Sequence, residues 1–384
     1  MVKWKNTLTQ VVGGIDDRVD RLALRLRQRR GIAPVQILSY TGHGTHTSLY
    51  LKGRVIEGYS VLSAQDSDSM WQNVINMLRR FNSHEVPFAR VRATFEGATY
   101  DAQANDEGYF DLAIQLETPL PDDKIWFDVP LELSDYQDHE GARTVARVIV
   151  PPSTAKFGVI SDLDDTVIKS DVINLIKLAR NTFLYNSRTR LPFAGVAEFY
   201  HALQQGTGQG YNPIYYVSNS PWNLYDLLAD FFEVRGIPPG TFFLTDIGLT
   251  PTKLIKQNGM RHKLAVIETL LQTHPQLPFI LIGDSGEKDP EIYLRAVQNF
   301  PGRIKAIYIR DVTAQRRDLE VQAMIDQAQA LGTEMLLVPD TGVAAAHAVE
   351  QGYIAPDSLS AIRIERTEDQ KKVSPVDELF GKPS

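Results

Sequence analysis

Cysteine is absent from all 384 residues. Its absence excludes disulfides, thiolate metal sites and a cysteine nucleophile. Long apolar runs are missing as well: no stretch approaches the ~18 consecutive apolar residues that a membrane-spanning helix requires. There is no surplus of positive charge, since 40 Lys and Arg stand against 47 Asp and Glu for a formal net charge of −7. No global basic field therefore draws the chain to nucleic acid or to a membrane, and any such attraction has to be local. The first residues lack an apolar core followed by a cleavage site, so no secretory signal is expected and cytoplasmic residence is the default. With 43 % hydrophobic and 23 % charged residues, the composition is that of an ordinary globular protein with core enough for two or three domains.

What is present is concentrated at three places. Phe157 to Lys169 reads F-G-V-I-S-D-L-D-D-T-V-I-K, an apolar strand ending in the clustered carboxylates Asp162, Asp164 and Asp165. Packing like charges at a strand end is unfavourable unless a cation neutralises them, and oxygen ligands point to a hard divalent ion such as Mg²⁺. An isolated D-x-D would read as a solvated acidic turn. Two further segments change that reading. Pro213 to Ser220 is a second apolar strand that ends in Ser218 and Asn219, and Phe279 to Asp289 is a third that ends in Gly283-Asp284 and Asp289. Helical patterns separate them, which predicts a parallel sheet with helices on both faces. In such sheets ligands bind outside the carboxyl ends of the strands. All three polar clusters fall at those ends and can converge.

The order Asp162-x-Asp164-x-Thr166, Ser218, a lysine, and Gly283-Asp284-x-x-x-x-Asp289 resembles the haloacid-dehalogenase-like phosphohydrolases. The longer strings S-D-L-D-D-T-V, Y-V-S-N-S-P-W and I-G-D-S-G-E-K-D-P-E-I-Y are similar to the actin-patch phosphatidate phosphatase catalytic-domain family, with the likeness covering roughly residues 150–350. The resemblance implies an Mg²⁺-dependent phosphomonoesterase with Asp162 as nucleophile and Asp164 as general acid and base. It also implies Ser218 and a lysine as phosphoryl ligands, with Asp162, Asp164, Asp284 and Asp289 around the metal. Lys263, opening the helix K-L-A-V-I-E-T-L-L, is the lysine expected, with Lys253 as the alternative. Thr166, Asn219, Lys253 and Lys288 are candidate substrate contacts; Thr166 can equally order its loop, and Lys288 can pair with Glu287 at the surface.

Both insertion points at which the superfamily carries caps look short, which suits a substrate held on something larger, such as a lipid surface or a protein. The first insertion interleaves Lys169, Lys177, Arg180, Arg188 and Arg190 with Phe183, Leu184, Tyr185 and Phe193. That pattern reads either as a rim for an anionic lipid headgroup or as a helix with one buried face. The expected substrate is a phosphorylated lipid, phosphatidate or a relative, met peripherally at a membrane surface, with no nucleic acid involved. A phosphatase of a phosphoprotein or soluble ester, and a non-catalytic membrane or scaffold protein, are the alternatives.

The remaining chain divides by pattern. Residues 1–30 place Trp4, Leu8, Val11, Val12, Ile15, Val19, Leu22 and Leu26 on one face of an amphipathic helix that can dock on the protein or lie in a membrane interface. Residues 31–152 show short alternating segments broken by Gly, Asn-Asp and Pro, which predicts an all-β sandwich with one helix over 70–81; within it Ala104 to Phe110 resembles the turn of transthyretin-like or carboxypeptidase-regulatory-like modules. Its role and partner are not legible. His43 and His46 there lack a third ligand and read as a plain loop. Residues 153–356 form the expected doubly wound α/β phosphatase domain, and 357–384 a polar, partly ordered tail.

Overall fold

The computed structural model describes residues 35–57, 84–136, 142–163, 195–208, 210–245, 255–312 and 315–371. The expected helices over 1–30 and 70–81, the basic insertion, and Asp164, Thr166 and Lys253 lie outside the described residues.

Alternation builds the N-terminal β module. In Tyr109–Gln115, Phe110, Leu112 and Ile114 point inward while Asp111, Ala113 and Gln115 face solvent, as a strand period of two demands. Nine strands are described: β1 (Val35–Ser39), β2 (Gly42–Gly44), β3 (Ser48–Glu57), β4 (His84–Glu85), β5 (Arg90–Phe95), β6 (Ala98–Gln103), β7 (Tyr109–Gln115), β8 (Trp126–Leu133) and β9 (Arg143–Ile149). They form one continuous network, because the short β2 pairs antiparallel with β3 and parallel with β9. This joins the β1–β3–β7 ladders to the β9–β8–β5–β6 ladders. Inward residues of β1, β3, β5, β7, β8 and β9 share a single core. The turn into β7 follows from its residues: Asn105 Oδ1 accepts from the backbone N–H of Glu107 and Tyr109, at 3.0 and 2.8 Å.

The second sheet has six strands: β10 (Gly158–Asp162), β11 (Ile214–Pro221), β12 (Thr241–Thr245), β13 (Phe279–Asp284), β14 (Ile304–Arg310) and β15 (Glu334–Val338). Every pair is parallel. Their spatial order is β12-β11-β10-β13-β14-β15, so the direction of winding reverses beside β10. These strands are apolar on both sides because helices cover both faces. Val159, Tyr216, Ile280 and Tyr308 pack with α1 (Val196–Gln205), α2 (Tyr225–Val234), α6 (Thr341–Glu350) and α7 (Ser358–Lys371). Ile160, Tyr215, Leu281 and Ile307 pack with α3 (Ile255–Thr273), α4 (Asp289–Asn299) and α5 (Gln315–Ala330).

Two expectations are corrected here. Lys263 does not open its helix, since α3 starts at Ile255 and places Lys263 in its middle. The polar tail expected from residue 357 begins instead with α7, whose Ile362 is 1 % exposed. Polar tethers add to that buried side chain: Glu365 accepts from the backbone N–H of Glu198 in the first turn of α1 at 2.9 Å, and Arg366 pairs with Asp340 at 2.9 Å. A charge-rich helix held by Ile362, the partly buried Leu359 and these polar contacts leaves little trace in composition. Ile362→Ala is expected to destabilise the protein by about 2–5 kcal/mol, seen as a lower urea midpoint at unchanged slope; an unchanged midpoint would return the segment to a tail.

Candidate active site

The site is built where β10 and β13 end side by side. Asp162 closes β10 and is 3 % exposed, and Asp284 closes β13 at 4 %. Beyond Asp284 the chain turns sharply, since Asp284 Oδ1 accepts from the N–H groups of Gly286 and Glu287 at 2.7 and 3.0 Å. The turn delivers Asp289 to the start of α4 and back against the strand. There its Oδ2 accepts from Asp284 N–H at 3.1 Å. Gly283 permits that approach: a Cβ at this position would lie 2.3 Å from Asp289 Oδ2. One carboxylate oxygen from each of Asp162, Asp284 and Asp289 lies within 4.8 Å of the others.

Lys263 enters this cluster from α3. Its ammonium lies 2.6 Å from Asp162 Oδ1, 2.6 Å from Glu287 Oε2 and 3.0 Å from Asp289 Oδ1. Contact with Asp162 is ionic in distance, yet among the described residues neither Asp162 oxygen has a donor at hydrogen-bonding angles. Burial pushes the Asp162 carboxyl well above the usual carboxylate range, and neighbouring Asp289 adds to this while Lys263 opposes it. Asp289 is raised as well, again chiefly by burial against the pull of Lys263. For Lys263 burial works against the charged form, but Asp162, Asp289 and Glu287 outweigh it and hold the ammonium well above the ordinary lysine value. Two full carboxylate charges at about 4.8 Å repel by roughly 3 kcal/mol at an effective dielectric of ~20. One lysine does not neutralise this group, and a buried carboxylate without a donor is a fitting ligand for a hard cation.

Ser218 stands at the same edge, because Asp162 pairs in register with Val217. The β11–β12 register shifts between Val217 and Pro221, a bulge of the kind that re-aims side chains next to active sites. Within it Ser218 Oγ accepts from Ser220 N–H at 2.9 Å, and Thr245 Oγ1 donates to the Asn219 carbonyl at 2.6 Å. Asn219 Oδ1 is buried with no hydrogen-bond donor among the described residues. It packs against Gly259 of α3, where a Cβ would come within 2.8 Å of it.

Residues 157–311 match the family described as phosphatidate phosphatase APP1, catalytic domain. This part of the chain is similar to the catalytic domain of that family. The chain is 28 % identical over 259 residues to phosphatidate phosphatase APP1 of Saccharomyces cerevisiae, covering 66 % of this chain and 42 % of that protein. It is also 28 % identical over 221 residues to an uncharacterized protein of Schizosaccharomyces pombe, covering 56 % of this chain and 35 % of that one. The chain thus spans less than half the length of these curated relatives. Among solved structures, a carbohydrate acetylesterase from Xanthomonas citri aligns at 12 % identity with a TM-score of 0.23, over 75 % of this chain and 72 % of that one.

Of the residues singled out in the sequence, the structure brings Asp162, Asp284, Asp289 and Lys263 together and sets Ser218 and Asn219 beside them. Lys288 is not among them. Its ammonium pairs with Glu291 one helical turn on at 2.8 Å and its side chain is 60 % exposed. The expected Lys288–Glu287 surface pair is therefore corrected: Glu287 turns inward to Lys263. The pairing of Glu287 with Lys263 is what sequence reasoning missed, since adjacency to Lys288 suggested the wrong partner and only the Asp284 turn aims it inward.

Lys263→Met is expected to cost about 3–5 kcal/mol near pH 8, as removal of one partner from a buried ion cluster does. The cost should shrink as pH falls. Asp162 and Asp289 have folded-state pKa values above the unfolded carboxylate value of about 3.9, so the folded state takes up protons first and gains stability until the pH nears that value. Urea unfolding of the variant in chelator at several pH values checks this, and a cost that grows on acidification contradicts the arrangement.

Proposed function

We propose that the chain is a phosphoric monoester hydrolase of the haloacid-dehalogenase-like, doubly wound type. In this reading it acts on phosphatidate or a related lipid phosphate and releases diacylglycerol and phosphate. The observation that carries the reading is the buried cluster of Asp162, Asp284 and Asp289 around Lys263, at the ends of neighbouring parallel strands. Asp162 attacks phosphorus and forms an aspartyl-phosphate, splitting hydrolysis into two easier steps. Asp164, two residues on in the sequence motif, protonates the departing alkoxide and then takes the proton of the water that attacks the intermediate. Ser218 and Lys263 hold the phosphoryl oxygens, where placed donors and charge supply most of the rate. Lys263 leaves the Asp162 oxygen for the incoming phosphoryl group while Glu287 and Asp289 keep it in reach.

The donor set of this site suits Mg²⁺, with Asp162, Asp284 and Asp289 as its side-chain ligands; when bound, the ion would neutralise these carboxylates and the charge on the phosphoryl oxygens. No helix among the described residues is long and apolar enough to cross a membrane. In this reading the enzyme works in the cytoplasm and meets its lipid phosphate peripherally at a membrane surface.

Phosphate release from dioleoyl phosphatidate in mixed micelles, with Mg²⁺ and with chelator, tests this beside a soluble ester. Lipid turnover that needs Mg²⁺, far exceeds that on the soluble ester and falls by about 10⁴-fold or more in Asp162→Asn is expected. Turnover of the soluble ester alone keeps the chemistry and removes the lipid assignment; an inert protein removes both. Independently of turnover, Mg²⁺ at about 100 times its dissociation constant should stabilise the protein by ~2.7 kcal/mol. A thermal melt reads that as a higher midpoint, and Asp284→Asn should abolish the gain.

A further inference from the structure

The bulge that carries Ser218 is held from three sides, and one of them is the β module. Thr245 of β12 holds it through the Asn219 carbonyl, and Gly259 of α3 lies against the Asn219 amide. The third support reaches it through the turn Trp222–Leu224, directly after β11. Trp222 stacks on Tyr40 with ring centroids 4.7 Å apart and planes 16° from parallel. Tyr225 packs on the same Tyr40 ring at 4.5 Å, and its hydroxyl accepts from the Thr41 N–H at 2.8 Å. Between them, Asn223 Oδ1 accepts two hydrogen bonds from the β module: from Arg54 Nη1 at 2.7 Å and from the Tyr109 hydroxyl at 2.9 Å.

Arg54 is itself fixed. Its Nε donates to the Glu107 carbonyl at 3.1 Å and its Nη2 to Glu85 at 2.9 Å, and its guanidinium lies 4.7 Å from the centre of the Tyr109 ring. The side chain is 10 % exposed. Adhesion between the two sheets does not require such an arrangement, because the Tyr40–Trp222–Tyr225 stack already supplies apolar contact. A guanidinium bound in a planar fork gives orientation, which flat apolar packing does not. What it orients is a single amide, five residues along the chain from Ser218.

We propose that the β module is a working part of the phosphoryl site. Arg54, acting through Asn223, fixes the Ser218–Asn219–Ser220 bulge in the shape that receives phosphoryl oxygens, and Arg54 and Asn223 are positioning residues for the reaction. This rests on the reading of Ser218 as a phosphoryl ligand. Asn223 need not touch the substrate. A loop end tethered at Asn219 and again at Asn223 has little freedom between the two points, and sub-ångström placement decides the rate of a transfer that depends on positioning.

The test uses the full chain, with Asn223→Ala, Arg54→Met, their double variant and the conservative Asn223→Asp, which keeps an oxygen acceptor for both donors. Arg54→Lys, which keeps the charge but loses the fork, stands in if Arg54→Met does not fold. Thr241→Val is the control. It removes a different contact between the sheets, the 3.0 Å hydrogen bond from Thr241 to the Gly42 carbonyl, at the opposite end of β12. On p-nitrophenyl phosphate, Asn223→Ala and Arg54→Met should lower kcat by about 10- to 100-fold, the effect of misplacement away from the chemistry, with little change in KM. The double variant should be no worse than either single, and Asn223→Asp should recover most of the loss. Thr241→Val should lower stability and leave kcat unchanged. Amide exchange over 218–220, read on folded protein without substrate, should accelerate in Asn223→Ala but not in Thr241→Val. A folded Asn223→Ala with wild-type kcat and wild-type exchange there would show that the contact is adhesive only, and the proposal would fall. If the wild type turns over no ester, the phosphatase reading fails first and takes the catalytic role with it, while the exchange measurement still decides the positioning.

Discussion

One ammonium placed among three carboxylates sets the terms for the α/β part of this protein. Lys263 lies within 3.0 Å of Asp162, Glu287 and Asp289, and its side chain is only 3 % exposed. Buried ion clusters are poor stabilisers compared with apolar packing of the same volume. The surrounding elements read as the means of assembling this one. Two parallel strands ending side by side supply Asp162 and Asp284. A tight turn capped by Asp284 brings Asp289 back, through a gap that only a glycine at position 283 leaves open. A helix crossing one face of the sheet contributes the lysine from its middle.

The same economy of contacts governs how the two sheets meet. The β module has its own core, yet Tyr40 and Tyr109 belong to the apolar cluster under the α/β sheet. The contact reaches the segment directly after the Ser218 bulge through stacked rings and an amide held by Arg54. Both parts therefore share one boundary with the candidate site close to it. A module that the sequence leaves without a role thereby acquires a physical one, as a wall against which a loop is set.

Much of the site is legible in the sequence because strand ends are. Apolar runs bounded by Asp162, Ser218 and Asp284 mark the carboxyl edge of a parallel sheet, and that edge is where such sheets bind ligands. The lysine was harder to place. Its helix begins at Ile255, two turns before the apolar pattern becomes regular, so Lys263 looked terminal although it is central. Lys288 and Glu287 illustrate the opposite failure, in which neighbours in sequence point to different partners. Ser358–Lys371 was hidden for another reason: Ile362 and Leu359, with polar tethers beside them, dock a helix whose composition is that of a tail.

The sequence by itself determined which groups end each strand, and with them the chemistry within reach: carboxylates, a hydroxyl and a lysine, with no thiol anywhere. Strand-end identity is local, written in a few consecutive residues, and needs no knowledge of the rest. Tertiary structure alone decided which of these groups meet. The inward turn of Glu287, the outward turn of Lys288 and the grip of Arg54 on Asn223 depend on contacts between residues 24 to 169 positions apart or on the aim of a single turn. No local propensity encodes those, because the free energy that selects them arises only when the distant surfaces are already packed.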